Sequence, residues 1–246
     1  MRRALFVAFA LGLAACDKEP TKAEQMAKSA STPPPTAPAS ETKPATPQKP
    51  QLAVDDTAAF VSGERIDLNA PDPKGRFTTV LGNAKSAGED LTLEAARDTK
   101  FPKAALVIAG IGKVNAKSLV VRTPKRDRTQ AEIPIALKPQ VEPCAAVAWI
   151  SKDVSTSIQS AAGTGGARFT KGMAGPDLTR ASEGIKKLAG NCASPVIYVA
   201  ADESVTWGLV VDLILSVTDE EGGASKIKEA YVLPRLPAIN KKLELE

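Results

Sequence analysis

The segment of residues 194–234 constrains the fold most, because it carries the pattern of a strand, a helix and a second strand in about forty residues. Residues 196–200 form an apolar run with the β-branched and aromatic side chains that are typical of a buried strand. Beyond residue 203, apolar residues recur with the period of a helix and share one of its faces. They are Leu209, Val210, Leu213, Ile214 and Val217. Two strands joined by such a helix are expected to pair in parallel, with a right-handed crossover.

The predicted helix has residues at both ends that are suited to capping. Ser204 or Thr206 can accept a hydrogen bond from the first free amides, and the glycines at 222 and 223 can adopt the left-handed conformation that ends a helix. Asp212 and Ser216 are expected to point away from the apolar face. The helix is therefore predicted to begin near residue 204 or 206 and to stop at residue 222.

Three short motifs in this segment match those of a known family. They are Ala201-Asp202 after the strand, Trp207-Gly208 at the helix start, and the Val-Val-Asp that ends at Asp212. With these motifs the segment resembles the periplasmic domains of the ExbD/TolR biopolymer-transport proteins. The resemblance implies a fold more firmly than an activity. We expect Asp202 to form a turn and Trp207 to pack in the core.

The residues before this segment complete the module that the resemblance implies. Residues 145–158 have the pattern of a strand, residues 163–166 that of a Gly-rich turn, and residues 167–171 that of the return strand. Asp177 can cap a helix that reaches about residue 189. The prediction is therefore an α+β fold, with a two-layer ββαβαβ module similar to the ExbD/TolR domain at residues 131–240.

The pattern of the opening segment also occurs upstream. The apolar residues Leu91, Leu93 and Ala95, together with Phe101, precede their counterparts in the later segment by 106 residues. Residues 51–130 are therefore predicted to be a degenerate αβαβ half, a second copy that lacks a clear opening hairpin in residues 54–69. The alternative is that two unrelated strand-helix-strand units look alike at this level of detail.

The N-terminus has the pattern of an export signal. Residues 1–15 combine a basic start with a short apolar core, which is the pattern of a secretory leader. The leader ends in Leu-Ala-Ala followed by Cys16, which resembles the lipobox of bacterial lipoproteins and implies lipid attachment at Cys16. An ordinary leader with an accidental cysteine is the alternative. The expected location is the cell envelope, with the chain anchored to the membrane and facing the periplasm. Asp17 resembles an inner-membrane retention signal.

Residues 16–50 are predicted to be a disordered tether. They are rich in Pro, Ala, Thr, Lys and Ser, with seven prolines between residues 31 and 50 and no apolar period. A polyproline conformation of this length reaches on the order of 100 Å. The folded part can therefore work at a distance from the bilayer.

The cysteines favour a structural disulfide. If Cys16 is lipidated, Cys144 and Cys192 remain, and an even pair in an exported chain suggests a bond between them. Two free thiols or a metal-binding pair are the alternatives. The absence of histidine from the sequence makes the metal pair the weaker of these.

No catalytic constellation emerges from the sequence. It lacks a nucleophile elbow, a phosphate-binding loop and metal-ligand spacing, so neither catalysis nor a cofactor is predicted. The net charge is +4, or +2 without the leader arginines Arg2 and Arg3, which gives no reason to expect nucleic acid. A basic loop follows the first copy, and a solvated turn is favoured there over a site for phosphate or acidic glycans. It contains Arg122, Lys125, Arg126 and Arg128.

These observations predict a non-catalytic, lipid-anchored adaptor of the cell envelope. The ExbD/TolR resemblance implies docking to a transport-motor component or to a second copy of the chain, although no transmembrane helix like the family's is found. An exposed strand edge is the expected docking element. The alternative is a structural lipoprotein that binds peptidoglycan. A small-ligand sensor or an enzyme with an unrecognised site is the third hypothesis.

Overall fold

A computed structural model of the protein describes residues 49–172, 175–190, 192–218 and 225–245. The predicted leader, Cys16, Asp17 and nearly all of the predicted tether lie outside the described residues. The described residues belong to one compact unit. None of their helices is long and apolar enough to span a bilayer.

The first half of the fold, residues 52–124, contains five strands and two helices. In chain order they are β1 (Leu52–Val54), β2 (Ala58–Val61), β3 (Glu64–Asp67), α1 (Pro73–Asn83), β4 (Asp90–Ala95), α2 (Phe101–Lys113) and β5 (Ser118–Pro124). A further strand, β6 (Gln130–Ile135), leads to the second half.

The second half, residues 146–232, repeats this order of elements. Its members are β7 (Ala146–Ile150), β8 (Thr156–Ser160), β9 (Ala167–Phe169), α3 (Leu178–Ala189), β10 (Val196–Ala201), α4 (Trp207–Thr218) and β11 (Glu229–Val232). Each half is therefore a βββαβαβ unit.

The eleven strands form one mixed sheet in the order β3-β2-β1-β4-β5-β6-β11-β10-β7-β8-β9. In the first half β1, β4 and β5 are parallel, and in the second half β7, β10 and β11 are parallel. The central strand β6 is antiparallel to β5 and parallel to β11, so the two halves run in opposite directions. The strand order is symmetric about β6. We propose that this symmetry reflects a duplication of one unit.

The coarse fold class that the sequence predicts, a mixture of helices and strands in an α+β arrangement, is confirmed. Strand β10, helix α4 and strand β11 occupy the predicted strand-helix-strand segment, and β10 pairs in parallel with β11. Asp177 caps α3 as expected, because its side chain accepts a hydrogen bond from the Arg180 amide. The predicted end of α4 at residue 222 lies outside the described residues.

The prediction of one strand over residues 145–158 is wrong. The structure divides this range between β7 and β8, with a tight turn between them. In that turn Asp153 accepts hydrogen bonds from the amide and the hydroxyl of Ser155, and Val154 has a φ of 63°. The turn lies in residues 151–157, Ser-Lys-Asp-Val-Ser-Thr-Ser, a polar stretch across which the single predicted strand was extended. The second half thus has three strands before its first helix, so its order is βββαβαβ rather than ββαβαβ.

The first half contains an opening hairpin where the sequence offered no clear signal. Strands β2 and β3 pair antiparallel, with Ala58 opposite Asp67. The turn before β2 is built like the turn before β8, because Asp55 accepts hydrogen bonds from the amide and the hydroxyl of Thr57 at 2.7 and 2.8 Å. An Asp-x-Ser/Thr sequence therefore marks the same turn in both halves.

The central strands of the second half are covered on both faces of the sheet. Every residue of β7, β8 and β10 is buried. Ile158 faces α3, since a Cβ on Gly184 would lie 2.5 Å from its Cδ1 atom. Its neighbour Gln159 faces the other way and donates to the carbonyls of Ala238 and Lys241 at 3.2 and 3.1 Å. The C-terminal residues therefore cover the face that the helices leave open.

Tyr198 illustrates the effect of this double coverage. It is fully buried on β10, its hydroxyl donates to the Gln140 carbonyl at 2.9 Å, and its ring centroid lies 5.6 Å from that of Tyr231. The pKa of Tyr198 is raised to about 12, mainly because the phenol is buried. The negative charges that Tyr231 and Glu142 can carry contribute to this rise. The folded chain therefore holds the phenol proton more tightly than the unfolded chain does.

The first prediction concerns alkaline pH. The stabilisation from the neutral phenol is fully present below pH 10 and is lost as the pH rises from 10 to about 12. A shift of two pKa units corresponds to at most about 2.7 kcal/mol. Denaturant unfolding at pH 9 and pH 11.5 should therefore show a steeper loss of stability for the wild type than for Tyr198→Phe. Parallel pH profiles for the two proteins would contradict this account.

Candidate functional site

The positions singled out by the family resemblance lie around the start of α4, where that helix meets the first half. Ala201 is the last residue of β10. Trp207 and Gly208 are the first two residues of α4, and Asp212 follows on the next turn of the helix. We call the region around these residues the junction.

Asp202 forms the turn between β10 and α4. Its Oδ1 atom accepts hydrogen bonds from the hydroxyl and the amide of Ser204 at 2.7 and 3.0 Å. The Ser204 hydroxyl, and then its amide, lower the pKa of the Asp202 carboxyl. Asp202 is therefore a charged turn residue at neutral pH, which gives it a local structural role.

The starts of α2 and α4 are joined by reciprocal backbone hydrogen bonds. The Phe101 amide donates to the Val205 carbonyl at 2.9 Å, and the Trp207 amide donates to the Thr99 carbonyl at 2.7 Å. The rings of Phe101 and Trp207 stack with their centroids 6.5 Å apart. These two aromatic residues are the pair that the 106-residue spacing predicts as counterparts. The two halves thus meet through equivalent positions.

Trp207 is the largest fully buried side chain of the described residues. Its indole Nε1 donates to the Thr123 hydroxyl at 2.9 Å, which satisfies the polar atom of the ring inside the core. The next residue, at position 208, is a glycine because the backbone there leaves no room for a side chain. A Cβ at this position would lie 2.9 Å from the Arg97 carbonyl oxygen.

Asp212 is enclosed by Arg97 of the first half and by Arg126 of the loop between β5 and β6. Arg97 binds both of its carboxylate oxygens, at 3.0 and 2.9 Å, and Arg126 Nε donates to Oδ2 at 2.8 Å. Arg97 also donates to the backbone carbonyls of Pro124 and Gly208, each at 3.2 Å. The Asp212 side chain is only 12% exposed. One carboxylate therefore ties the first turns of α4 to the loops after β4 and β5.

This arrangement adds contacts that the sequence does not predict. Asp212 points away from the apolar face of α4, as predicted, and Arg97 and Arg126 cover that side of the helix. The basic loop is an exposed turn, with the Arg126 side chain 62% exposed, and Arg126 also binds Asp212. Arg122 pairs with Glu132 at 2.8 Å. Sequence patterning misses such contacts because it treats a polar helix face as solvated.

The junction is suited to holding the halves together. Arg97 and Arg126 donate the three hydrogen bonds that the Asp212 carboxylate accepts. Within the described ranges, no group of three or more His, Cys, Asp or Glu side chains is placed to hold a metal ion. We therefore treat the junction as a structural clamp.

The second prediction concerns this clamp. Replacing Asp212 with alanine leaves Arg97, which is 25% exposed, without its carboxylate, and the free energy of unfolding should fall by about 2 kcal/mol. Asp212→Asn, which keeps one acceptor, should cost about half as much. The matched control is Asp98→Ala, an exposed carboxylate nearby, which should change stability by less than about 0.5 kcal/mol. Denaturant unfolding measures all three, and equal effects of Asp212→Ala and Asp98→Ala would refute the clamp.

The structure contains the predicted disulfide between Cys144 and Cys192. The two Cα atoms lie 5.5 Å apart, and Cys192 is buried. The bond joins the chain just before β7 to the chain just after α3. It therefore fixes the segment that links the two halves against the second half.

In the part of the chain that the structure describes, the two ends of the sheet are unpaired strand edges. At the β9 end of the sheet, the Ser151 amide donates to the Ser155 carbonyl. Because backbone groups point alternately to the two sides of an antiparallel strand, the amide and carbonyl of Ser157 also point toward β7. Arg168 stands opposite Ser157, so its own amide and carbonyl face away from β8. Arg65 occupies the corresponding outward position on β3 by the same reasoning. Either edge can accept a further strand.

The edges differ in charge. Strand β3 exposes Glu64, Arg65 and Asp67, and such charged residues discourage pairing with another chain. Strand β9 has one charged residue, Arg168. Its side chain donates hydrogen bonds to Ser155 at 3.0 Å and to Asp153 at 2.6 Å. The β9 edge is therefore the less protected of the two.

The chain was compared with protein-family models, with curated proteins and with solved structures, and none of them matches it. The resemblance to ExbD/TolR domains thus rests on the motifs and the order of elements. The sequence reasoning missed Arg97, Thr123 and Arg126 as junction residues. No signal in the sequence places them there, since the 106-residue spacing marks Phe101 and Trp207 as equivalent positions and does not say that the two copies touch.

Proposed function

We propose that this chain is a lipid-anchored adaptor of the cell envelope that docks a protein partner or a second copy of itself. The anchor is Cys16, and residues 17–50 form the tether that joins this anchor to the folded part. The ExbD/TolR resemblance directs the choice of partner toward a component of a transport motor. The proposal assigns no catalysis to the chain.

The free edge of β9 is the observation that carries this proposal. A partner strand added there would bond to the outward amide and carbonyl of Arg168, which have no strand on that side among the residues that the structure describes. The arginine side chain is already held by Asp153 and Ser155, so it need not be reorganised on binding. Binding by strand addition takes its affinity from such backbone hydrogen bonds.

The order of elements also supports the proposal. The second half contains the predicted helix-strand-helix-strand order after its hairpin, and the first half has the same elements. Both halves therefore contain the order of elements on which the proposed resemblance draws, although each half has one strand more than the predicted module. A docking role that uses an outer strand leaves the helices and the junction undisturbed.

Crosslinking in cells tests the proposal. A photoreactive amino acid at Thr170, which is exposed and directly follows β9, should trap a partner protein or a second copy. The same group at Gln51, exposed at the start of the first half, is the matched control and should trap it at least about tenfold less. Recovery of monomer alone from both sites would contradict the adaptor role. Sedimentation of the purified chain with peptidoglycan, without a protein crosslink, would favour a cell-wall ligand instead.

A further inference from the structure

The exposed aliphatic side chains of the described residues are concentrated in one short segment. Leu236 is 43% exposed and Ile239 is 65% exposed, and the other large hydrophobic side chains in the described ranges are buried or half-buried. Both lie in residues 234–242, which we call the 234–242 loop. Exposed apolar side chains that cluster in this way mark an interaction surface more often than scattered ones do.

The 234–242 loop is held in a fixed conformation by the second half of the sheet. The buried side chain of Gln159 donates to the carbonyls of Ala238 and Lys241, and it accepts a hydrogen bond from the Asn240 amide at 2.9 Å. The Leu243 amide just beyond the loop donates to the Ala161 carbonyl at 2.7 Å. These bonds fix the backbone while Leu236 and Ile239 remain exposed. Their exposure is thus part of a well-supported structure.

The surroundings of the loop are cationic. The loop carries Arg235, Lys241 and Lys242 and no acidic residue. Beside it lies a groove of about 450 Å³ with an apolar floor, and its lining includes three further lysines and one carboxylate. The lysines are Lys74, Lys113 and Lys138, and the carboxylate is that of Glu244.

Little negative charge offsets these lysines. Lys138 Nζ donates to the side-chain oxygen of Asn115, a neutral group, at 2.6 Å. Lys74 and Lys113 make no ion pair with any residue that the structure describes. The loop and the groove therefore form one basic surface with protruding aliphatic side chains.

We propose that the 234–242 loop and this groove form a contact surface for an anionic lipid bilayer. Leu236 and Ile239 enter the interfacial region, and the surrounding lysines attract the anionic headgroups. Each basic residue near an anionic surface strengthens the attraction, and the effect weakens as salt is added. This contact is made by the folded part itself and does not depend on lipidation at Cys16.

The shape of the surface favours a bilayer over a peptide. Ile239 does not line the groove, so it projects where a planar surface can receive it. Pro234 and Pro237 in the groove wall have no amide hydrogen to offer an extended peptide. A bilayer needs neither a matching pocket nor backbone donors.

Vesicle sedimentation tests the proposal on the full chain carrying Cys16→Ser, which removes the lipidation site from every protein compared. The parent should bind vesicles of phosphatidylcholine with 30% phosphatidylglycerol, and Leu236→Asp with Ile239→Asp should weaken this binding at least about tenfold. The matched control is Gln51→Asp with Gln130→Asp, which adds the same charge at exposed sites of the first half and of β6. It should stay within about twofold of the parent. Circular dichroism and thermal melting verify that each variant is folded.

Two further arms complete the test. Lys241→Gln with Lys242→Gln should reduce binding to the anionic vesicles and leave binding to pure phosphatidylcholine unchanged. The proposal is overturned if the aspartate pair at 236 and 239 behaves like the control pair, or if anionic lipid gives no advantage. It is also overturned if single lipid molecules bind the protein stoichiometrically while intact vesicles do not, since the groove would then be a ligand pocket.

Discussion

Replacing both Cys144 and Cys192 with alanine is expected to lower the free energy of unfolding by about 4 kcal/mol. The bond closes a loop across a sequence separation of 48 residues, and in the chain-entropy model the loss of that closure gives this value. The link also fixes the segment between the two halves, so its loss should loosen that segment first. Denaturant unfolding of the oxidised wild type and the double variant measures the effect.

The reduced wild type provides the control for this prediction. It has both cysteines but no bond, so it should unfold at nearly the same denaturant concentration as the double variant. A difference of less than about 1 kcal/mol between oxidised and reduced wild type would mean that the disulfide contributes little to the fold. A large effect of the substitutions in the reduced protein would instead point to the packing of the buried Cys192.

Replacing Trp207 with alanine is expected to cost about 3 to 5 kcal/mol. The substitution removes the largest fully buried side chain of the described residues, and it leaves the Thr123 hydroxyl without its indole donor. It also removes the ring that stacks on Phe101 where the halves meet. Both halves should therefore lose stability together, in one unfolding transition.

Two comparisons isolate the cause. Trp207→Phe keeps most of the ring volume and loses the hydrogen bond, so it should cost about 1 to 2 kcal/mol. Leu236→Ala removes an aliphatic side chain that is 43% exposed, and it should change stability by less than about 1 kcal/mol. If Trp207→Ala unfolded the second half and left the first half intact, the junction would not couple them.

The elements with a strong apolar period could be predicted from the sequence. The run at β10, the apolar stripe of α4 and the Asp177 cap of α3 each depend on local chemistry that a single segment displays. The disulfide followed from cysteine number and an export signal. These features required no knowledge of what the segments pack against.

The features that were missed depend on residues distant in the sequence or on short turns between strands. Arg97 and Asp212 are 115 positions apart, and only the fold brings their charges together. The turn at Asp153 lies in a polar stretch, residues 151–157, across which the single predicted strand was extended. The Asp-x-Thr at Asp55 carried the same information for the first hairpin. Comparing the two halves turn by turn would have revealed both hairpins.

The extended C-terminal segment also could not be inferred from periodicity. Its contacts with β8 pass through Gln159, a polar residue that alternation alone would assign to solvent. The segment covers a face of the sheet that an ordinary two-layer module leaves open. Double coverage explains why Tyr198 is buried and why its pKa is raised.

The adaptor role is tested most directly by blocking the β9 edge in cells. Arg168→Pro removes the outward amide and leaves the bonds to β8 intact, whereas Arg168→Ala removes the side chain and keeps the amide. With a photocrosslinker at Thr170, we predict that Arg168→Pro lowers the yield of the trapped partner at least about tenfold and that Arg168→Ala leaves it within about twofold. Equal yields from the two variants would contradict docking through this strand.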